Sequence, residues 1–427
     1  MTSVFSLSTK PFHLWCCYAV FWNNCYRYTS SRLFIKRQCH DSKLTGLMQN
    51  SEYQDDSTNY QTITSAKIRS SHYILDKSLA ASVASVIIKN RSSQNSSVLE
   101  INPGPGILTK ELFSKGVHHI VATDTKEQLL SLLERNLQRE ISQHKLHCFH
   151  WDCFTLWHRD TNSSQFEKDY RDKEVEIVAA FQQKTHGDEI PITAFGVVSY
   201  LKERPFLNYI LHNFGLLEGI FSLGRLEWFL FVSAKIYKTV LASTDHDKSV
   251  LAYNTMSVLL HLLFDIKCHM EVSGNEFSPP FQNIKRKKRE IAIGKQLVKY
   301  DMKYLLQMKP KENWDSVLPA LEIFKFSLFL KQLFHKKRMR LIPKMEQLVP
   351  GCGLHLILAG YTMVQEVGET SPEQFLQIYN DMQTWPEYQD SGLHFYLMEH
   401  AVHGMEEEAE GGDSVTEKSS VWEESSS

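Results

Sequence analysis

One twelve-residue stretch limits what this chain can fold into: Val98-Leu99-Glu100-Ile101-Asn102-Pro103-Gly104-Pro105-Gly106-Ile107-Leu108-Thr109. It reads as the end of a buried strand, a tight Gly/Pro turn and the start of a helix whose apolar residues are Ile107, Leu108, Leu112 and Phe113. At such a junction an α/β fold receives a nucleotide-like ligand, because glycine lets the backbone approach and the helix N-terminus offers free N–H groups. Alone, the turn has a bland reading as an ordinary strand-to-helix connection. Its surroundings narrow the choice. A second strand, His119 to Thr123, ends in Asp124, about 20 residues past the turn, where a carboxylate can accept both hydroxyls of a ribose. A third apolar segment closes at Phe149-His150-Trp151-Asp152. A carboxylate there can accept a hydrogen bond from an adenine amino group. Strand, Gly turn, helix, strand-Asp, helix, strand-Asp is the layout of an S-adenosylmethionine pocket.

These residues resemble the rRNA adenine dimethyltransferase family, whose first motif reads Glu-x-Gly-Pro-Gly-x-x-x-(Leu/Ile)-Thr. Glu100 to Thr109 follow it except at Asn102. The resemblance runs from Ser71 to Asp390. It takes in Phe277-Ser278-Pro279-Pro280, similar to the family's Phe-x-Pro-Pro element, and Leu305-Leu306-Gln307-Met308-Lys309-Pro310. The later segments, with Arg225-Leu226-Glu227, resemble the family's mitochondrial, transcription-factor branch. The resemblance implies an α/β, class I S-adenosylmethionine-dependent methyltransferase fold, Rossmann-like with a doubly wound, mostly parallel sheet, and a smaller helical C-terminal domain. It implies S-adenosylmethionine, or the vestige of its site, at Glu100, Asn102, Gly104, Gly106, Asp124 and Asp152. The implied partners are mitochondrial RNA polymerase and promoter DNA, or rRNA, with no membrane and no metal. The implied location is the mitochondrial matrix, at the nucleoid.

One departure bears on activity. Active members carry Asn-(Leu/Ile)-Pro-Tyr after the fourth strand, where the Asn side chain and the Pro carbonyl hold the target amino group and the aromatic ring stacks on the base. Here the segment is Val197-Val198-Ser199-Tyr200. Val197 cannot accept a hydrogen bond, Ser199 keeps a carbonyl without proline's rigid placement, and Tyr200 alone survives as a stacking ring. A methyl transfer that depends on orienting a weak nucleophile should suffer. Of the catalytic positions, Val197 and Tyr200, the first is degraded. The sequence thus carries two functions: a transcription initiation factor on a dimethyltransferase scaffold, which assists promoter melting and single-strand capture, or an rRNA adenine N6,N6-dimethyltransferase of the mitochondrial small subunit. A small-molecule methyltransferase gets no help from the basic clusters described below.

Length and charge set the remaining bounds. A chain of 427 residues, 42% of them hydrophobic, can bury a sizeable core in two folded units. The formal net charge of −2 excludes a uniformly basic nucleic-acid binder, so any such surface is a local patch. Residues 1–45 are Ser-rich and basic, with Lys10, Arg27, Arg32, Lys36 and Arg37 ahead of the first acid at Asp41. That is a mitochondrial transit-peptide composition. The apolar run Leu14 to Trp22 falls short of the ~20 residues that span a bilayer. Four of the 8 cysteines lie in that leader and the others are scattered, which is no disulfide framework.

Along the chain, 46–70 reads as a flexible link, 71–312 as the methyltransferase-like domain, 158–191 as a polar surface insertion within it, 313–400 as the helical domain and 401–427 as an acidic disordered tail. His144, His147, Cys148, His150, Asp152 and Cys153 crowd together, but along one expected strand their side chains point to opposite faces, unlike a tetrahedral zinc set. Two basic clusters are candidate phosphate contacts: Lys285, Arg286, Lys287, Lys288 and Arg289, and then His335, Lys336, Lys337, Arg338 and Arg340. The plain readings are a solvated loop for the first and helix-dipole compensation for the second.

Overall fold

The computed structural model describes residues 71–409, apart from 161–163, 182–190, 217, 243, 245–251, 282–289 and 294–295. The expected leader, link and most of the acidic tail lie outside these residues, as does the cluster Lys285 to Arg289.

A seven-stranded sheet carries the fold, in the order β4-β3-β2-β5-β6-β11-β7. The strands are β2 (Ser97–Ile101), β3 (Ile120–Asp124), β4 (Leu146–His150), β5 (Ile192–Val197), β6 (Leu226–Ser233), β7 (Phe264–Ser273) and β11 (Met302–Pro310). β2 to β6 pair in parallel, and β11 alone runs against its neighbours β6 and β7. β1 (Tyr73–Ile74) pairs with β8 (Phe277–Ser278), and β9 (Glu290–Ile293) with β10 (Gln296–Lys299), as small antiparallel ribbons. β2 is the switch point: the chain goes from it to β3 and β4 on one side and returns to β5 on the other, opening a crevice at the strands' carboxyl ends.

Helices cover both faces, so the central strands read as continuous apolar runs. Period-two alternation divides them. Val98, Ile120, Phe195, Phe229 and Leu305 join one buried cluster, with α1 (Lys77–Asn90), α2 (Ile107–Ser114) and α3 (Glu127–Asn136). Leu99, Val121, Ala194, Trp228, Leu230 and Leu306 join the other. α1 forms because Leu79, Val83 and Ile87 recur at helical spacing and Asp76 caps its start, accepting from the Leu79 N–H at 2.7 Å.

The stretch 158–191 departs from expectation. Rather than only a surface insertion, it holds α4 (Ser164–Ala180), with Tyr170, Glu174 and Ile177 buried. The physical reason is topological: β4 and β5 run parallel in one sheet, and such strands require a crossover connection, usually helical. The helix's many charges hid its narrow buried stripe. Glu174 also accepts from the Ile220 N–H at 3.0 Å, tying the crossover to the loop before β6.

α5 (Glu203–Asn213), α6 (Ala234–Leu241) and α7 (Thr255–Leu263) complete the second face. Its buried cluster continues without a break into α8 (Ala320–Leu333) and on to Leu397. Helices follow at Leu341–Leu348, Gly353–Leu358, Pro372–Met382 and Gly392–Ala409. Ser371 caps the third of these through a reciprocal pair with Gln374.

At the amino ends of the strands, away from the crevice, Glu227 on β6 is fully buried. It accepts from the Ser92 N–H and hydroxyl, both at 2.9 Å, and from the Gln307 amide at 2.6 Å. Glu227→Ala strands three donors and should cost about 3 kcal/mol of stability, read as a lower urea midpoint with an unchanged m-value.

Candidate functional site

The turn after β2 places Asn102 at φ +58°, in the left-handed region that asparagine tolerates better than most residues. Asn102 thus keeps the backbone bend that glycine gives elsewhere in the family. Its amide nitrogen and oxygen, Glu100 Oε2 and the Thr109 hydroxyl are all buried without a hydrogen-bond partner. Burial pushes Glu100 up to about 8, with Thr109 opposing the shift and the charge of Asp124 adding to it.

The two glycines are enclosed by the chain itself. A Cβ on Gly104 would lie 2.9 Å from the Tyr73 ring, and one on Gly106 would lie 2.4 Å from Leu133 Cδ1. The fully buried Tyr73 thus sits against the turn on which a ligand would rest.

Asp124, at the end of β3, is 0% exposed. Its Oδ1 accepts from the Tyr73 hydroxyl at 3.3 Å and the Lys126 N–H at 2.9 Å, and its Oδ2 from the Gly104 N–H at 3.2 Å. Burial raises its pKa to about 6 against those hydrogen bonds. The Lys126 ammonium lies 5.0 Å from the centre of the Tyr73 ring. Asp152, just past β4, forms an ion pair with Lys202, and its Oδ1 accepts from the Phe154 N–H at 3.1 Å. The Tyr170 hydroxyl of α4 donates to its carbonyl at 3.0 Å.

The degraded segment is equally occupied. Val197 is buried in the core at the end of β5. The Val198 carbonyl accepts from the Lys303 ammonium, and the Ser199 carbonyl accepts from the N–H groups of Lys202 and Glu203 as α5 begins. Lys303, on the reversed strand β11, is fully buried. It lies 3.5 Å from Glu203 Oε1 and 4.8 Å from the centre of the Phe281 ring. Burial lowers the Lys303 pKa and raises that of Glu203, each opposed by the other's charge. Glu203 is anchored by the Ser233 N–H at 2.6 Å. His72 closes the same space, donating from Nδ1 to the Pro279 carbonyl at 2.8 Å. Burial and the Lys303 charge push His72 down to about 4.

Tyr200 differs from its neighbours: it is 41% exposed, with the Lys235 ammonium 5.4 Å from its ring centre and the exposed Arg204 four residues on. The second basic cluster lies nearby. Lys336, Arg338 and Arg340 are exposed, and Lys337 is partly so. The positive charge of Arg204, added to burial, lowers the pKa of both Lys331 and Lys337. The turn after α8 thus shares a like-charged neighbourhood with the first turn of α5. Among the described residues no three His, Cys, Asp or Glu side chains gather as a metal-binding set.

The acceptors that a cofactor's ribose and adenine would use, Asp124 and Asp152, each already take a donor of the chain. The expected pocket residues do converge on the crevice. Sequence reasoning missed Tyr73, Lys202, Glu203, Arg204 and Lys303. Only Lys303 left a signal: it shares a strand face with Leu305, so period two puts a lysine at an inward position.

The ribosomal RNA adenine dimethylase family matches residues 65–384. Among relatives, the chain is similar to dimethyladenosine transferase 2, mitochondrial, of Drosophila melanogaster, 22% identical over 77% of this chain and 79% of that protein. The proteins of that name from Mus musculus and Homo sapiens are 28% and 24% identical, over 65% and 72% of this chain and 68% and 74% of theirs. Among solved structures, a dimethyladenosine transferase from Plasmodium falciparum superposes with a TM-score of 0.45 at 13% identity, covering 71% of this chain and 95% of that one.

Glu100 should govern the pH dependence of stability between pH 4.5 and about 8. Its pKa is raised on folding from 4.5 to about 8, so the stabilisation is full below the unfolded value and is lost as pH rises through 8. The thermal midpoint should fall across this window, and Glu100→Gln should flatten the fall.

Proposed function

This chain belongs to the ribosomal RNA adenine dimethylase family, and on that premise we propose that it is a mitochondrial transcription initiation factor built on the dimethylase scaffold. It assists mitochondrial RNA polymerase, helps to melt promoter DNA and holds a single strand. The observation that carries this reading is the segment after β5, which has kept its stacking ring and lost its amine acceptors. Val197 is core, and the Val198 and Ser199 carbonyls are engaged, so no group there orients an adenine amine. Tyr200 remains exposed, with the Lys235 ammonium 5.4 Å from its ring centre. An aromatic platform beside cations suits an unstacked base and its phosphates whatever the sequence. Lys336, Lys337, Arg338 and Arg340 extend the cationic surface, and Lys285 to Arg289, which lie outside the described residues, are further candidate phosphate contacts under this reading. Under it too, the S-adenosylmethionine seat is a vestige.

The mitochondrial names of the fly, mouse and human relatives and the basic, acid-poor residues 1–45 support location in the mitochondrial matrix, at the nucleoid, after removal of a transit peptide. Residues 313–400 serve as the helical unit and 401–427 as an acidic tail.

A second reading is favoured by one observation. Glu100, Asn102, Thr109 and Ser199 keep buried polar atoms without partners, as a partly retained cofactor pocket would. On that reading the chain dimethylates adenines of the mitochondrial small-subunit rRNA.

Run-off transcription by the cognate polymerase separates the two. The protein should be required on duplex promoter and dispensable on a pre-melted template. Tyr200→Ala should cut duplex-dependent transcript about tenfold, the worth of one stacked base at ~1–3 kcal/mol. Equal transcription with and without the protein on both templates, with labelled methyl groups entering rRNA adenines, would establish the second reading instead.

A further inference from the structure

A protein of this architecture that methylates an adenine needs three acceptors: one for the cofactor ribose, one for its adenine and one for the target amine. Here the ribose and adenine acceptors exist and are engaged, Val197 removes the amine's side-chain acceptor, and the carbonyls that remain in that segment are engaged as well. Asp124 takes the Tyr73 hydroxyl at 3.3 Å, Asp152 takes the Lys202 ammonium, the Val198 carbonyl takes the Lys303 ammonium, and the Ser199 carbonyl takes the N–H groups of Lys202 and Glu203.

We infer that the site is self-ligated: Tyr73, Lys202 and Lys303 supply internally the donors that a ribose hydroxyl, an adenine amino group and a target amine would supply from outside. The site takes up no free S-adenosylmethionine and serves as the joint that holds β1, α5 and β11 to the switch point. This deepens, and rests on, the reading that methyl transfer is lost.

Three further observations carry it. The Tyr73 ring lies 2.9 Å from where a Cβ on Gly104 would be, so the close approach that this glycine permits is used by the chain's own tyrosine. Tyr73 is clamped from behind, because β1 pairs with β8 and the ring lies beneath the Lys126 ammonium. Lys303 is not a stray lysine that could swing out. Glu203, the Phe281 ring and His72 surround it, and Ser233 fixes Glu203 in turn. A buried ammonium needs such satisfaction, since leaving either partner alone in the interior costs several kcal/mol. An incoming ligand would have to displace three internal donors, two of them, Tyr73 and Lys303, fully buried, and leave the two ammonium groups without their counter-charge or carbonyl.

The test is a titration of the full-length chain with S-adenosylmethionine by calorimetry, beside melting curves of the chain and two variants. Tyr73→Phe keeps the ring and removes the donor. Lys202→Met keeps most of the volume and removes the charge. Wild-type protein should give no saturable heat up to millimolar ligand and no shift in melting temperature. Each variant should melt about 2–4 °C lower, as the loss of one buried hydrogen bond in a large domain would predict. Saturable one-to-one binding to the wild type that Asp124→Asn weakens tenfold or more would overturn the inference. So would melting temperatures left unchanged in both variants. Neither result touches the run-off assay: a chain that binds S-adenosylmethionine through Asp124 and still drives initiation on duplex DNA would refute self-ligation and leave the initiation reading standing. A chain that binds none and fails to drive initiation would do the reverse.

Discussion

The carboxylate of Asp124 is the point on which the crevice depends. Three separate pieces of the chain meet there: β1 through the Tyr73 hydroxyl, the Gly turn through the Gly104 N–H, and the start of α3 through the Lys126 N–H. A buried carboxylate is costly unless hydrogen-bonded, and this one receives three donors, two of them backbone groups that cannot move away without unwinding a turn. The geometry of the turn, the entry of α3 and the position of the N-terminal ribbon are therefore set together. Loss of any one donor weakens the hold on the other two, which is the behaviour of a network rather than of a pair.

On the other side of the switch point the same logic repeats with a different anchor. Lys303 projects from the one strand that runs against the sheet, and Glu203 opens the helix that follows the degraded segment. Their pairing fixes α5 against β11, and with it the start of the helix that presents Tyr200 and Arg204. The exposure of Tyr200 is thus not a loose end of the fold. Its backbone is held from Ser199 by the first turn of α5 and from Val198 by Lys303. A ring on a rigid support loses little further freedom when a planar partner stacks on it.

Much of this was legible in the sequence, for a reason that also marks where legibility stops. Patterns with a local period came through: the parallel strands that end at Ile101, Asp124 and His150, the apolar stripe of α1, and the capped start at Ser371 all follow from residues a few positions apart. The crossover helix α4 did not, because its buried stripe of Tyr170, Glu174 and Ile177 includes an acid and sits among charges. Topology, not periodicity, demands it there. The donors that close the site were invisible for a different reason. Tyr73 meets Asp124 across 51 positions, Lys202 meets Asp152 across 50, and Lys303 meets Val198 across 105. No local rule connects such pairs. A motif read from sequence reports which acceptors a site has, and the tertiary structure reports whether something already occupies them.

That distinction explains the unevenness of the crevice. An acceptor evolved to hold a ligand becomes a liability when the ligand is absent, since an unpartnered buried polar group costs about 1–3 kcal/mol. Asp124, Asp152 and the Val198 carbonyl escape that cost through internal donors. Glu100 has no such donor on Oε2, and its carboxyl is instead held neutral at pH 7 by burial, with its pKa near 8. Protonation is the cheaper remedy for a fully buried carboxyl, with Thr109 as the side chain that opposes it. Asn102 has neither remedy: both polar atoms of its side chain are buried without a partner. The residual polarity of this site therefore lies at Glu100 and Asn102, while Asp124 and Asp152 are tied into the fold.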